Sequence, residues 1–338
     1  MSVPRIAVVG ASTLIGEAVI AELRLRDFPS AELHALDDER GAGGRVGDED
    51  RPLSVGLVAG FDFARADLVF FCGRRALSER YAEAAAAHAW VLDGSAHFRG
   101  RGDVPLIAAD VNAAELQTVG PRGLIALPGS ASVALATALG PLESLAGLER
   151  VEVATYQAVS GNGRGAVDEL AAETVALLNG KQPRAGGFGQ QIAFNVIPQV
   201  DAIGEDGVSR EEHRIWQETR RLLGLAQLPI NVTAVRVPVF FGHGMAVHVS
   251  LRRPATPAQA LGVLQRGTGI RVIDAASSRE LPTPAALSTA PDRVYIARMR
   301  SDPTRDLALN FWIVADNVRK CAAHNAVSVA QILVNRPQ

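Results

Sequence analysis

Short apolar runs alternate with helical patterns along the first third of the chain. Residues 17–25 and 77–87 carry apolar side chains at helical spacing, and each stretch lies between two apolar runs. Alternation of this kind is typical of βαβ units that build a parallel sheet. It predicts a doubly wound α/β domain over residues 1–128. The predicted strands of that domain are residues 6–10, 33–36, 68–72, 90–93 and 124–127.

Longer β-rich runs replace this alternation in the second part of the chain. They cover residues 151–159, 232–239 and 245–251. Runs of this length suit a mixed or antiparallel sheet. They predict a second, α+β domain over residues 129–315.

An insertion-like stretch at residues 162–189 interrupts the β-rich pattern. It holds seven glycines and prolines, but it also carries a helical pattern at 167–178. We therefore interpret it as an ordered excursion and not as a flexible linker. Excursions of this kind commonly form a subunit contact, so we expect a homodimer.

The last 32 residues predict a strand followed by a helix. Residues 307–315 form an apolar run, and Asp316 and Asn317 after it offer N-cap chemistry for a helix. We expect the helix within residues 316–338 to pack back on the first domain and complete it.

Composition narrows the classes of partner. The 338 residues are 48% hydrophobic, which suits large cores and about two domains. The 34 basic and 36 acidic residues nearly balance, so we expect no nucleic-acid or membrane-surface partner. No apolar run approaches the roughly 18 residues of a membrane span, and no signal peptide is recognisable, which favours the cytoplasm. The expected partners are a small-molecule ligand and a second copy of the chain.

Cysteine use gives no sign of a metal site or a disulfide framework. The only two cysteines, Cys72 and Cys321, lie far apart without the paired spacing of zinc ligands. We expect both thiols to be reduced and buried.

A glycine-bearing turn joins the first predicted strand to the first predicted helix. Bare backbone N–H groups and the helix N-terminus at such a turn can receive a pyrophosphate. The alternative is a tight turn in which the glycines serve packing alone. The predicted cofactor-binding residues of the turn are Gly10, Ser12, Thr13, Leu14, Ile15 and Gly16.

The second predicted strand is followed by a loop with one candidate for cofactor discrimination. No acidic residue about 20 positions after the glycine turn is unambiguously placed for a ribose hydroxyl. Arg40 follows the strand, and a guanidinium there would suit a 2′-phosphate, which favours NADP over NAD. A solvated arginine on a turn is an equally good interpretation.

Six motifs stand in order over nearly the full chain. Together they resemble the aspartate-semialdehyde dehydrogenase family. The resemblance implies a Rossmann-like dinucleotide-binding domain joined to a catalytic and dimerisation domain. The motifs are residues 6–16, 92–99, 128–130, 156–161 and 236–243, and 315–317 with Lys320.

The resemblance also implies a chemistry and a role for individual residues. In that family a cysteine thiolate attacks the aldehyde, a histidine acts as acid and base, and hydride passes to NADP. Phosphate then cleaves the thioester to give aspartyl phosphate. The residues implied are His243 as acid/base, Gln157 orienting the intermediate, Arg236 on the substrate carboxylate, Glu211 on its amino group, Arg99 and Arg214 on phosphate, and Asn317 on the cofactor side.

The chain departs from the family pattern at the nucleophile and in the cofactor turn. Ser130 stands where the family has its cysteine, and Gly129 stands where the family has an asparagine. Thr13 replaces the central glycine of the turn, which adds a Cβ where backbone approaches the dinucleotide. Gly41 replaces a serine, and Arg74 follows the second glycine-bearing turn. These changes make NADP binding itself doubtful.

The serine decides the functional prediction. A thiol with a pKa of about 8.5 supplies a thiolate near neutrality, whereas an alcohol needs strong general-base activation. Ser130 therefore predicts a catalytically impaired pseudoenzyme, similar to the Usg-type paralogues of the family that lack the cysteine. The alternative is an active NADP-dependent aspartate-semialdehyde dehydrogenase, a cytoplasmic oxidoreductase of amino-acid biosynthesis. A hydrolase built on Ser130 and His243 is disfavoured, because no oriented acid or nucleophile elbow is evident.

Overall fold

The computed structural model describes residues 3–183, 186–273, 281–289 and 291–336. It divides into two compact units. The first comprises Met1–Gly129 with Ala322–Gln338, and the second comprises Ser130–Cys321.

A seven-stranded sheet forms the centre of the first unit. The strands are β1 Arg5–Val9, β2 Glu32–Asp37, β3 Arg45–Val46, β4 Leu53–Leu57, β5 Leu68–Phe71, β6 Trp90–Asp93 and β7 Gly123–Ala126. Their order in the sheet is β3-β4-β2-β1-β5-β6-β7, in which every pair is parallel except β3 with β4. This order reverses direction at β1, as in a Rossmann sheet, and it confirms the predicted doubly wound α/β class.

Helices cover the faces of this sheet, and they include the last helix of the chain. They are α1 Leu14–Leu25, α2 Arg75–Ala86 and α7 Asn325–Val334. Val327 and Ala330 of α7 join the buried cluster that contains Ile6 and Val8 of β1. The Asn325 side chain also accepts a 2.8 Å hydrogen bond from the Ala109 amide. The terminal helix is therefore part of the first unit's core.

The second unit is built on a six-stranded mixed sheet. The elements of this unit are α3 Ser130–Ala146, β8 Leu148–Gln157, α4 Arg164–Leu178, α5 Arg210–Leu223, β9 Ile230–Arg236, β10 His243–Leu251, α6 Pro257–Gln265, β11 Ile270–Ile273, β12 Val294–Ser301 and β13 Ala308–Ala315. The strand order in the sheet is β11-β12-β13-β10-β8-β9, and the pairs β8–β9 and β11–β12 are parallel. The predicted mixed sheet is confirmed.

The chain after β13 differs from the single helix that we predicted. The Asp316 carboxylate accepts hydrogen bonds from the Val318 and Arg319 amides, so the capping chemistry is present. A π-helical segment, Arg319–His324, follows before α7 begins at Asn325. The helix thus starts about eight residues later than its capping signal suggests.

Candidate active site

Two glycines shape the turn at the carboxyl end of β1. Gly10 has φ +79°, and a Cβ built on it would lie 2.5 Å from the Cys72 carbonyl oxygen. A Cβ on Gly16 would collide with the Gly10 carbonyl oxygen. Both positions therefore exclude any side chain, because backbone from β1, α1 and the end of β5 converges here. The first turn of α1 presents the amides of Leu14 and Ile15, which have no carbonyl partner inside the helix.

Thr13 is the N-cap residue of α1. Its Oγ1 accepts a 3.0 Å hydrogen bond from the Gly16 amide and donates to the Gly10 carbonyl at 2.8 Å. A second carbonyl, that of Cys72, lies 3.2 Å from the same hydroxyl. Thr13 is thus an N-cap that ties the turn together. The helix N-terminus and its glycines fit a pyrophosphate, so the turn can hold a dinucleotide.

Two neighbouring aspartates, which we call the acid pair, lie where β2 ends, at the same edge of the sheet. Asp37 is fully buried, and its Oδ2 accepts hydrogen bonds from the amide of Ser12, at 3.1 Å, and from the Ser12 hydroxyl. Its Oδ1 accepts the Asp38 amide at 2.8 Å and lies 3.0 Å from Arg74 Nε. This acid was not among the predicted site residues, although it directly follows the apolar run 33–36.

Arg40, the residue that suggested NADP, is engaged by the second member of the acid pair. Its Nε and Nη2 donate to Asp38 Oδ2 at 3.0 and 2.5 Å, while the arginine side chain remains 73% exposed. The Arg40 hydrogen bond holds the pKa of Asp38 below its ordinary value. The role of Arg40 toward a 2′-phosphate stays a prediction.

Arg99 is fixed near the end of the first unit by backbone carbonyls. Its Nε donates to the Leu127 carbonyl at 2.8 Å, and its Nη2 donates to the Gly94 carbonyl at 2.7 Å. These bonds tie the segment after β6 to the turn after β7. The phosphate-binding role implied for Arg99 stays a prediction.

In the second unit, His243 begins β10 and is almost completely buried. Its Nδ1 accepts a 3.1 Å hydrogen bond from the Ala158 amide, just beyond the end of β8. The neutral ring therefore carries its proton on Nε2. Burial lowers the pKa of His243 to about 3; the positive charge of Arg236 adds to the effect, and a hydrogen bond with the Gly242 backbone opposes it. The imidazole is neutral at physiological pH.

Arg236 ends β9 and is held against the same turn. Its Nη1 donates to the Ala158 carbonyl at 2.6 Å, and its Nη2 donates to Asn162 Oδ1 at 2.8 Å. Burial lowers the pKa of Arg236 to about 10, and the negative charge of Glu211 opposes that shift. A Cβ on Gly161 would lie 3.0 Å from Arg236 Nη1 and 3.8 Å from Cε1 of His243. Glycine at 161 thus leaves room for the guanidinium and the imidazole together.

Gln157, the last residue of β8, connects the strand ends to α5. Its Nε2 donates to Glu211 Oε1 at 3.2 Å and approaches Thr155 Oγ1 at 3.3 Å. Arg214 Nη1 lies 3.7 Å from Glu211 Oε2 and donates to Asp201 Oδ2 at 2.7 Å. The structure therefore brings three predicted residues, Gln157, Glu211 and Arg214, into one polar chain.

Ser130 is the first residue of α3 and is half-buried. A helix N-terminus favours negative charge, and for a cysteine it would lower the thiol pKa. The position therefore suits a nucleophile that works as an anion, which a serine hydroxyl does not supply at neutral pH.

Asn317 lies inside the second unit and braces two of its loops. Its Oδ1 accepts the Gly242 amide at 2.9 Å, and its Nδ2 donates to Ser160 Oγ at 3.0 Å. Gly242, which donates to Asn317, directly precedes His243 in the sequence. These contacts support the loop that carries the imidazole, and the cofactor role implied for Asn317 stays a prediction.

Two features are absent from the part of the chain that the structure describes. No group of three or more His, Cys, Asp or Glu side chains among them is arranged to hold a metal ion. Among the helices in the same residues, none combines the length and the apolar character needed to span a bilayer.

Comparison with known proteins decides the family. The model described as "Semialdehyde dehydrogenase, NAD binding domain" matches residues 5–119, and that described as "Semialdehyde dehydrogenase, dimerisation domain" matches residues 139–320. An aspartate-semialdehyde dehydrogenase from Legionella pneumophila is 39% identical over 97% of this chain and 95% of its own. The chain belongs to the aspartate-semialdehyde dehydrogenase family. It carries both the NAD-binding and the dimerisation domain of that family.

Other members of the family include enzymes and a relative of different name. Aspartate-semialdehyde dehydrogenase 2 from Vibrio cholerae is 38% identical over 97% of each chain. A USG-1 protein homolog from Azotobacter vinelandii is 34% identical over 98% of each chain. The crystal structure of aspartate-semialdehyde dehydrogenase II from Vibrio cholerae has a TM-score of 0.95 at 36% identity and covers all of both chains.

Proposed function

We propose that this chain is a catalytically impaired aspartate-semialdehyde dehydrogenase family protein that keeps a substrate-orienting and dinucleotide-binding scaffold. The observation that carries the proposal is the hydroxyl of Ser130 at the N-terminus of α3, where the family resemblance implies a thiolate. The buried Gln157, Arg236 and His243 are proposed to form the rest of the site.

The state of His243 supports impairment. Because the Ala158 amide donates to Nδ1, the neutral ring presents an N–H at Nε2. That tautomer can donate to a thiolate or to a developing alkoxide, but it cannot remove a hydroxyl proton through Nε2. A cysteine that ionises on its own is compatible with this arrangement, whereas a serine is left without its base.

The neighbouring charges support a small, zwitterionic substrate. The Arg236 guanidinium is the positive centre proposed to bind the substrate carboxylate, and its lowered pKa of about 10 leaves it charged at neutral pH. Glu211, held by Gln157, is the carboxylate proposed to bind an amino group. Arg214 in the second unit and Arg99 in the first are each proposed, on the family resemblance, as a phosphate-binding cation.

The scaffold supports two partners besides the substrate. The glycine turn and the first turn of α1 are proposed to bind the pyrophosphate of a nicotinamide dinucleotide, for which NADP is the form that the family resemblance implies. The family's dimerisation domain supports a homodimer. A cytoplasmic location stays a prediction.

The test is turnover of the native chain. Purified protein is given aspartate semialdehyde, phosphate and either NAD or NADP, and reduced cofactor is followed at 340 nm while intact-protein mass spectrometry searches for an acyl adduct. The proposal predicts turnover several powers of ten below the roughly 1–10³ s⁻¹ of ordinary enzymes. Turnover within that ordinary range contradicts it.

An active dehydrogenase is the second candidate. It is favoured by relatives named aspartate-semialdehyde dehydrogenase that are 38–39% identical over 97% of this chain. The retained Gln157, Arg236 and His243 favour it as well. The two candidates differ in one readout, because only the active enzyme forms an acyl ester on Ser130 within a catalytic cycle.

A further inference from the structure

The crevice between β1, β2 and β5 is the topological switch point of the first unit. In sheets of this order a dinucleotide lies across the carboxyl ends of these strands, with its adenosine ribose near the end of β2. An acid at that position accepts a hydrogen bond from the ribose 2′-hydroxyl of NAD, whereas a 2′-phosphate needs a cation there. Asp37 ends β2, 21 residues after Gly16, and Asp38 follows it directly.

We propose that the acid pair Asp37 and Asp38 makes this chain a binder of NAD and not of NADP. The inference deepens the proposed function and rests on only one part of it, the binding of a nicotinamide dinucleotide by the first unit.

Hydrogen-bond polarity is the first argument. An ionised carboxylate can only accept hydrogen bonds, and a phosphate monoester near neutral pH is an acceptor with a charge of about −1.5 to −2. The two negative groups therefore repel each other, and a fully ionised phosphate has no proton to donate. A ribose hydroxyl can donate to a carboxylate, so the partly exposed Asp38 suits a free 2′-hydroxyl. The buried Asp37, whose oxygens already accept hydrogen bonds from Ser12 and Asp38, adds negative charge beside it.

The two nearby cations are already engaged by the acid pair. Arg40 contacts Asp38 with two nitrogens, at 3.0 and 2.5 Å. Arg74 lies 3.0 Å from Asp37 and 3.6 Å from Asp38. A 2′-phosphate could bind either guanidinium only by breaking these ion pairs. The carboxylate released would then face the negative charge of the phosphate.

The packing of Gly41 shows that the loop is built around the acid. A Cβ on Gly41 would lie 2.6 Å from Asp37 Oδ2 and would collide with Ser12 Oγ. The hydrogen-bonded Asp37 and Ser12 side chains thus occupy the space that a residue larger than glycine would need. A serine at position 41 would offer a hydroxyl that could donate to a phosphate. The space for its side chain is taken by Asp37 and Ser12, so the glycine at 41 and the acid at 37 go together.

The experiment measures binding and needs no turnover. NAD and NADP are titrated by isothermal calorimetry at one ionic strength into the native chain, and so are the fragments 5′-AMP and adenosine 2′,5′-bisphosphate. We expect the native chain to bind NAD at least tenfold more tightly than NADP, with the fragments in the same order. Equal binding, tighter NADP, or no binding of either dinucleotide at millimolar concentration overturns the proposal.

Three variants assign the preference to the acid pair. Asp38→Ser releases Arg40, so it is expected to lower the NAD-to-NADP affinity ratio at least fivefold by strengthening NADP. Asp37→Asn keeps an acceptor for the Ser12 amide while it removes the charge, so it is expected to act in the same direction. Arg40→Ala removes a cation that a 2′-phosphate could recruit, so it is expected to keep the NAD-to-NADP affinity ratio at or above its native value, and a fall in that ratio overturns the assignment.

Asp67→Ser is the matched control, because Asp67 forms an ion pair with Arg5 in the same unit away from the glycine turn. It is expected to leave the ratio unchanged. Circular dichroism confirms folding of each variant. If Asp37→Asn does not fold, Asp38→Ser still decides, because Asp38 is partly exposed; an unchanged ratio in Asp38→Ser overturns the assignment.

The outcome is separable from that of the proposed function. A chain that prefers NADP and fails to turn over refutes the inference and leaves impairment standing. A chain that prefers NAD and oxidises the semialdehyde at ordinary rates refutes impairment and leaves the inference standing.

Discussion

The neutral state of His243 has a measurable cost for the folded protein. Burial and the charge of Arg236 place the pKa of His243 at about 3, against an ordinary value of 6.5. Between these two values the folded state binds fewer protons than the unfolded state. Stability is therefore complete above pH 6.5 and falls as the pH drops from about 6.5 towards about 3.

The size of the His243 pKa shift sets how much stability is lost at low pH. Lowering the pH from 7.5 to 5.0 costs about 2 kcal/mol of unfolding free energy, because each pH unit below the unfolded pKa costs about 1.4 kcal/mol until the folded pKa is reached. The complete penalty, near pH 3, is about 5 kcal/mol. His243→Asn keeps an oxygen acceptor for the Ala158 amide and cannot be protonated. We expect the variant to lose this component of the pH dependence.

Urea unfolding gives the free energy of unfolding of the native chain and of His243→Asn at pH 7.5 and at pH 5.0. The loss between the two pH values in the native chain, minus the same loss in the variant, measures the contribution of His243. His88→Asn is the matched control, because His88 is exposed on the first unit. Selective ¹³C labelling of histidine adds a direct readout, in which the His243 ring keeps its neutral chemical shift from pH 8 to pH 5. A titration midpoint above pH 6, or an equal pH dependence in native and variant chains, refutes the reasoning.

Two further predictions concern the turns that hold the site. Gly10→Ala is expected to destabilise the first unit more than Gly43→Ala. Both glycines have φ near +80°, but only a Cβ on Gly10 would meet a neighbour, the Cys72 carbonyl oxygen at 2.5 Å. Thermal melts compare the two variants, and equal losses of stability would show that the close approach is unimportant. Asn317→Ala is expected to cost about 1–3 kcal/mol, because it leaves the buried Gly242 amide without its acceptor, and a loss below about 0.5 kcal/mol in urea unfolding would contradict that role.

Much of the fold could be predicted from apolar patterning. Strands β1, β5 and β6 are short, buried runs between helical patterns, so their signal is strong. The helix α3 gave no periodic signal because it is buried nearly all round, including Ala131, Val133 and Ala136 on different faces. The edge strands β3 and β4 gave little signal either. β3 has only two residues, and most of β4 is exposed.

The resemblance supplied candidate site residues, but the contacts among them could not be predicted from the sequence. It named Gln157, Arg236 and His243 as candidates, yet no pattern in one sequence says that the last two share the Ala158 peptide group through its carbonyl and amide. Such contacts arise from strand register, which brings Gln157 opposite Arg236 on neighbouring strands. Asp37 was missed for a related reason. Its importance comes from its position at the end of β2 and from its contact with Ser12, which a charge pattern does not show.

The central claim is that the oxygen at position 130 limits an otherwise assembled site. Its most direct test is the ratio of turnover in Ser130→Cys to that in the native chain, with Ser132→Cys as a control that adds a thiol two residues further along the same helix. The helix N-terminus is expected to keep the introduced thiol pKa at or below about 8.5, so a substantial fraction is ionised at pH 8. We predict a gain of at least about 10³-fold for Ser130→Cys, in line with the usual cost of losing a nucleophile, and none for Ser132→Cys. Equal turnover in Ser130→Cys and the native chain, with both folded and binding the cofactor, would contradict the account.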